Sequence, residues 1–394
     1  MESKHFYRPG LDALRFFAFL VVFIHHTPSL NGNAVWHIAK EPFAFGMQMF
    51  FLLSAYLITE LLLREKENTG IVHFKAFYIR RILRIWPLYF LGVCIAVVAW
   101  RLYPHDFWLG KMRLAGYLLF FVNMVGNGYN PMNNLWSISI EEQFYVIWPA
   151  ITQLHNRWLI PGLSLFFVPF TCYILCTQSH LGDGLWFNTF VEFMFFGAGA
   201  ALAVLLHKRT LRMSVFACAV SFSAGAALWF GTILLGGRAS TLPMNLCAVY
   251  ILAGLGCVLI FLAFLGLPEY MYPKPVVYLG RVPYGLYVYH VLVLMLTTHF
   301  MPHLVGDKRM NAIIIDAVGL CVTVSIAACS YHLFELPFLR LKSRFTFISS
   351  NAPSKRNSPG TRTAWRTTWA LLPSTPAKPH QLLKRSAVSR SLSG

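Results

Sequence analysis

The sequence has 394 residues, of which 57% are hydrophobic and only 12% are charged, and its mean hydropathy is +0.56. Because soluble domains carry about 25% charged residues, this composition excludes an ordinary soluble protein and indicates an integral membrane protein. The net charge of +18 does not indicate a nucleic-acid partner. The basic residues lie between apolar stretches and in the C-terminal tail, where membrane topology accounts for them.

Apolar stretches long enough to cross about 30 Å of hydrocarbon as helices recur along the chain. The predicted spans are residues 11–27, 43–63, 85–101, 140–155, 158–177, 187–206, 213–235, 244–266, 281–300 and 311–335. A further run, 114–125, is too short to cross unaided, and whether it crosses stays open at this point. The distribution of Lys and Arg favours ten spans with both termini cytoplasmic. The predicted fold is therefore all-α, a polytopic transmembrane helical bundle.

The chain is predicted to contain one membrane domain, residues 1–344, followed by a basic tail, residues 345–394. The tail is rich in Ser, Thr, Pro, Arg and Lys, and such a composition is typical of disorder. The N-terminus lacks the pattern of a cleavable signal peptide, so the first span is expected to be retained. The cysteines fall in apolar stretches without metal-ligand spacing, so no metal site is expected.

The first span, "LDALRFFAFLVVFIHH", contains Asp12 and Arg15 near one end and His25 and His26 at the other. Ionisable side chains inside a membrane are costly and mark functional sites. Arg15 and His26 are eleven residues apart, so they share a helix face at a separation of about 16 Å. The alternative for either histidine is a span-end side chain that reaches the membrane surface.

The next polar cluster is "FYIRRILRIWPLYF", where Arg80, Arg81 and Arg84 lie at the predicted cytoplasmic approach to the third span. Arg81 and Arg84 share a helix face. Guanidinium groups bind phosphate oxygens bidentately, so the cluster suits a polyphosphate ligand. Topological anchoring with contact to lipid headgroups is the alternative.

Two adjacent carboxylates, Glu141 and Glu142, occur in "NNLWSISIEEQFYVIWP". We expect them to open a helix at the outer face, preceded by Ser137 and Ser139, where negative charge favours the helix N-terminus. Capping alone would explain them. The topology also places them level with His26, and a carboxylate beside an imidazole raises its basicity, as a general base requires.

Two further ionisable residues lie in the C-terminal spans, His290 in "LGRVPYGLYVYHVLVL" and Glu335 in "SYHLFELPFLRL". His290 is either a second site residue or a packed histidine of the bundle. Glu335 is expected to form a structural ion pair with basic groups at the inner face.

Taken in order, these stretches resemble the acyltransferase 3 family of integral-membrane O-acyltransferases. The resemblance covers about residues 6–345 and rests on several blocks together. They are "YRPGLDALRFFAFLVVFIHH", "FFLLSAYLITELLLREKENTG", "FYIRRILRIWPLYF", "WSISIEEQFYVIWP", "LGRVPYGLYVYHV" and "ELPFLRL".

The resemblance implies transfer of an acyl group, commonly acetyl, from acetyl-CoA to a hydroxyl of a saccharide, a glycolipid or a macrolide. It implies that acyl-CoA is a donor substrate rather than a permanently bound cofactor, and that the protein lies in a bacterial cytoplasmic (inner) membrane. By position it places the essential arginine and histidine of the first span on Arg15 and His26. The R-x-x-R motif falls on Arg81 and Arg84, and the glutamate at the span entry on Glu141.

The expected reaction uses His26, oriented by Glu141, as general base at the outer leaflet, while the arginines hold the CoA phosphates on the cytoplasmic side. A covalent acyl intermediate on His26, Ser54 or Tyr145 is an alternative. Arg15 is expected to guide the CoA arm or to pair with Asp12. The rival function is a transporter or flippase that uses the intramembrane His, Glu and Arg groups as a proton or solute relay.

Overall fold

The structure, a computed structural model, describes residues 6–27, 34–102, 110–125, 130–156, 158–301 and 307–348. Within these ranges every regular element is helical, which confirms the predicted all-α class. The α-helices are α1 (Pro9–His26), α2 (Ala34–Lys40), α3 (Gly46–Thr69), α4 (Phe74–Leu102), α5 (Lys111–Leu118), α6 (Trp136–Leu154), α7 (Leu159–Thr177), α8 (Thr189–Leu205), α9 (Val215–Gly231), α10 (Pro243–Gly266), α11 (Lys274–Leu279), α12 (Pro283–Phe300), α13 (Lys308–Ser330) and α14 (Leu336–Lys342).

Each of the ten predicted spans coincides with a helix, and seven segments of the described chain are long and apolar enough to cross a membrane. The helices α6, α8 and α12 are not among those seven, so the count of ten and the orientation of the termini stay predictions. The helix α5 has eight residues and is about 12 Å long, too short to cross the hydrocarbon. Most of the predicted tail, residues 349–394, lies outside the described residues.

The helices α1 and α3 pack closely and run antiparallel. A methyl group at Gly46, at the start of α3, would lie 2.5 Å from Val21 Cγ2 and 2.7 Å from the Ala18 carbonyl oxygen. Near the other end of α3, the Arg64 guanidinium lies 4.8 Å from the centre of the Phe6 ring. The absence of a side chain at Gly46 therefore permits the backbones to approach, as small residues do between membrane helices.

The helix α6 runs parallel to α3 and is bound to it by polar contacts. The Ser54 hydroxyl donates to Glu141 Oε1 at 2.9 Å, and further along both helices the Trp148 indole donates to Thr59 Oγ1 at 2.7 Å. All four residues lie inside their helices, α3 and α6, away from the helix ends. These contacts fix the depth of Glu141 relative to α1, because α3 packs against both helices.

The segment before α6 enters the bundle instead of lying at its surface. Its 3₁₀ turn, Asn133–Leu135, leads directly into α6, and Met132 and Leu135 are fully buried. The first turn of α6 contains no acidic residue, and Glu141 is the sixth residue of the helix. The expectation that the helix opens at the two glutamates is therefore wrong, and the capping alternative fails with it, because the helix begins earlier, at Trp136.

A second close approach joins α3 to α8 at Gly199. A methyl group there would lie 2.0 Å from the Leu52 carbonyl oxygen, whereas Gly162, in α7, has no atom within 4 Å of the same position. We expect Gly199→Ala to destabilise the fold by about 1–3 kcal/mol through overpacking. Gly162→Ala should leave stability unchanged or raise it, since Ala is the better helix former. Thermal unfolding of both variants in detergent tests this, and equal melting temperatures would contradict it.

Candidate active site

The ring of His26, at the end of α1, lies beside that of His290 in α12. The ring centroids are 5.0 Å apart, and His290 Nε2 lies 3.4 Å from His26 Nδ1. His290 is fully buried, whereas His26 remains exposed. The structure thus brings together two histidines that are 264 residues apart in the chain, and it leaves His26 accessible.

Backbone carbonyl groups determine the tautomers of both rings. The Val22 carbonyl oxygen lies 2.8 Å from His26 Nδ1, and the Tyr287 carbonyl oxygen lies 2.6 Å from His290 Nδ1. Because a carbonyl oxygen only accepts, each neutral ring carries its proton on Nδ1 and donates it. The Nε2 lone pair of His290 then faces the Nδ1 proton of His26. The Nε2 lone pair of His26 is left to act as a base.

The carboxylate of Glu141 lies in a different polar layer. Ser54 donates to its Oε1 and the Tyr145 hydroxyl donates to its Oε2, both at 2.9 Å. The Arg81 guanidinium carbon lies 5.4 Å from the centre of the Tyr145 ring. Glu141 therefore belongs to a cluster with Ser54, Tyr145 and Arg81.

The expected pairing of His26 with Glu141 is not formed, because each group has other partners among the described residues. Gly46 packs at the level of Val21 and Val22, near His26, whereas Ser54 lies eight residues further along α3. Eight residues correspond to about 12 Å of helix. We therefore distinguish a histidine layer, His26 with His290, from an arginine layer, Arg81 and Arg84 with Glu141.

The three predicted phosphate-binding arginines have different surroundings. Arg80 donates to Glu65 Oε2 at 2.7 Å and to the Phe345 carbonyl oxygen at 2.8 Å, so its guanidinium is engaged in the fold. Within the described part of the chain, Arg81 keeps a buried Nε without a hydrogen-bond partner. Arg84 interacts electrostatically with Glu335 and with Glu141. Arg81 and Arg84 are therefore the members of the cluster that remain available to a ligand.

Arg15 and Asp12 are paired with each other within the first turns of α1. Arg281 lies on the other side of Asp12, with Nε 3.7 Å from Oδ2. This confirms the pairing alternative for Arg15. His25 does not belong to the histidine layer. Its Nδ1 lies 3.3 Å from the Lys40 carbonyl oxygen.

The remaining predicted residues, Glu142 and Glu335, are both near the arginine layer. The Trp86 indole donates to Glu142 Oε2 at 3.4 Å, and Oε1 is buried without a partner. Glu335 lies in a π-helical turn, Tyr331–Glu335, and accepts a 3.5 Å hydrogen bond from Ser330. In the described chain Glu335 forms no direct ion pair with a basic group of the inner face, and the cation that interacts with it electrostatically is Arg84.

The partners that orient the two histidines cannot be read from the sequence. The Val22 and Tyr287 carbonyl groups have no side-chain signature. Asn134 was also missed, although its amide donates to the same Tyr287 carbonyl oxygen at 2.5 Å. The adjacent polar pair in "NNLW", in front of an apolar helix, is the one sequence signal for it.

A comparison with protein families matches residues 8–332 to the acyltransferase 3 family, described as an acyltransferase domain. The chain belongs to this family. A protein of Bacillus subtilis (strain 168), provisionally named as a peptidoglycan O-acetyltransferase, is 27% identical over 385 residues, which cover 88% of this chain and 58% of that protein. The peptidoglycan O-acetyltransferase of Listeria monocytogenes is 26% identical over 395 residues, which cover 88% of this chain and 60% of that protein.

The chain thus spans less than two thirds of the length of these relatives. A protein of Staphylococcus aureus (strain MSSA476), provisionally named as an O-acetyltransferase, is 33% identical over 163 residues, covering 38% of this chain and 25% of that protein. No solved structure matches the chain. The family membership confirms the resemblance seen in the sequence.

The Arg80–Glu65 ion pair allows a test of whether Arg80 stabilises the fold or binds a ligand. The Glu65 side chain is 3% exposed and keeps the His73 backbone N–H as a second partner, so Arg80→Ala should destabilise the fold by about 1–3 kcal/mol through the loss of one charged hydrogen bond. The double variant with Glu65→Gln should recover part of this loss. Melting temperatures of the four proteins in a double-mutant cycle measure the coupling, and additive effects would contradict a structural pair.

Proposed function

We propose that the protein is a membrane-embedded O-acyltransferase that moves an acyl group, acetyl in the first instance, from cytoplasmic acyl-CoA to a saccharide hydroxyl on the other side of the membrane. The observation that carries the proposal is the exposed His26 ring, whose tautomer leaves the Nε2 lone pair unused. Family membership supports the reaction class. Because two relatives are named for peptidoglycan, a glycan of that kind is the acceptor we propose.

In the proposed reaction the acceptor oxygen attacks the thioester carbonyl carbon while His26 Nε2 removes the hydroxyl proton. The tetrahedral intermediate then collapses, the carbon–sulfur bond breaks, and the departing CoA sulfur takes the proton from His26. The new carbon–oxygen bond is the ester product. General-base help of this kind contributes about 10²- to 10⁴-fold.

His290 acts in this scheme as a positioning residue. Its Nε2 accepts the Nδ1 proton of His26 together with the Val22 carbonyl oxygen. Both acceptors hold the ring in one orientation and stabilise the positive charge that develops when Nε2 is protonated. This is the role that the sequence interpretation gave to Glu141.

The donor is proposed to enter from the arginine layer. Arg81 and Arg84 bind the phosphates of CoA, since their guanidinium groups form no direct ion pairs with other described residues. Glu141 and Tyr145 hold Arg81 in place through the contacts of its side chain with the Tyr145 ring. The pantetheine arm then spans the distance to the histidine layer, with Arg15 beside its path. The arginine layer would face the cytoplasm in a bacterial inner membrane.

Replacement of His26 by Ala should abolish transfer, with a loss of at least about 100-fold, because the general base is removed. The measurement is acceptor-dependent release of free CoA thiol from acetyl-CoA by purified protein. His37→Ala, an exposed histidine in α2, is the control. Full activity of the His26 variant would refute the assignment, and substrate flux without thiol release would favour a transporter.

Arg81→Ala and Arg84→Ala should mainly raise the KM for acetyl-CoA, by about tenfold each, because a charged hydrogen bond to phosphate is lost in the ground state as well as the transition state. Arg101→Ala, an exposed arginine near the other end of α4, is the matched control. An unchanged KM in both variants would assign the two arginines to membrane anchoring.

A further inference from the structure

Arg113, in the short helix α5, is a buried cation outside the two layers described above. Its side chain is among the largest that are fully buried, and the residue is 2% exposed. One guanidinium nitrogen donates to Asn133 Oδ1 at 2.7 Å. The other two nitrogens, Nε and Nη1, are buried and have no hydrogen-bond partner among the described residues.

The partners of this guanidinium are neutral. Besides Asn133, its charge lies beside the hydroxyl group of Tyr117. No carboxylate in the described part of the chain forms an ion pair with it. Arg is almost never fully buried unless it is paired, because an uncompensated charge loses its hydration. A guanidinium with two free donors in the protein interior therefore indicates a site for an anion.

This cation is connected to the histidine layer by adjacent residues. Asn133 accepts from Arg113, and its neighbour Asn134 donates to the Tyr287 carbonyl oxygen at 2.5 Å. That same carbonyl oxygen accepts from His290 Nδ1 at 2.6 Å. The segment that enters the bundle before α6 thus links Arg113, through two adjacent asparagines, to α12, the helix that positions His26.

We propose that Arg113 binds an anionic group, a carboxylate or a phosphate, carried by the acceptor whose hydroxyl is acylated. The inference rests on the proposed function and adds the chemical class of its acceptor. Two guanidinium nitrogens offer the paired donors that carboxylate and phosphate oxygens accept. The CoA phosphates are assigned to the arginine layer, so the anion at Arg113 belongs to the second substrate.

Asn133→Asp is the sharpest test, because it keeps Arg113 and supplies an internal carboxylate beside it. The probes are a disaccharide that bears a carboxylate, its neutral methyl ester, and the same disaccharide bearing a phosphate. Binding to the purified protein is measured without acetyl-CoA, by tryptophan fluorescence. Wild type should bind the carboxylate more tightly than the ester by about tenfold or more, the scale of a charged hydrogen bond.

In Asn133→Asp and in Arg113→Gln this preference should fall toward one. Lys111→Gln removes an equal charge from an exposed position of the same helix and should keep the preference. Comparison of the carboxylate with the phosphate probe identifies the anion. A preference that persists in Asn133→Asp overturns the inference, as does equal binding of carboxylate and ester by wild type.

The acyl-transfer assay separates this inference from the proposed function. Charge-selective binding without thiol release would refute the transferase and leave the anion site standing. Thiol release with equal rates for the charged and neutral probes would support the transferase and refute the role of Arg113. If Arg113→Gln does not fold, Asn133→Asp decides alone, because it removes no side chain volume and adds a favourable ion pair.

Discussion

The contact between α1 and α3 at Gly46 determines the depth of the polar groups on which the rest of the structure depends. At this point α3 begins level with the end of α1. Since α6 runs parallel to α3 and is bound to it at Ser54, the same contact places Glu141 about 12 Å from His26 along the helix axis. Two separate polar layers, instead of one, follow from this packing.

The separation of the layers has a chemical meaning. The His26 imidazole is oriented by a backbone carbonyl group and by a neutral histidine. It therefore needs no carboxylate beside it to hold its orientation. In the arginine layer, Glu141 interacts electrostatically with Arg81 and Arg84, and Tyr145 joins it to Arg81 through a hydrogen bond and a ring contact. In the proposed reaction, a polyanionic donor and a hydroxyl acceptor reach one bundle from opposite sides.

The buried segment that precedes α6 also helps to position the polar groups, because it contacts both α5 and α12. The sequence predicted neither its buried course nor its contacts. The contacts make functional candidates of three residues. Asn133 binds Arg113 of α5, and Asn134 binds the Tyr287 carbonyl group of α12. A polar residue next to an apolar run has the same sequence signature whether it lies at the membrane surface or in the protein interior.

The sequence by itself determined the all-helical membrane class, the helix positions, the family and the residues worth testing, because hydrophobic length and intramembrane charge are local properties. Only the tertiary structure decided which of those residues meet. It paired His26 with His290 instead of Glu141, engaged Arg80 with Glu65, and buried Arg113. The physical reason is that contacts between helices depend on relative depth and rotation, which backbone packing at residues such as Gly46 and Gly199 fixes.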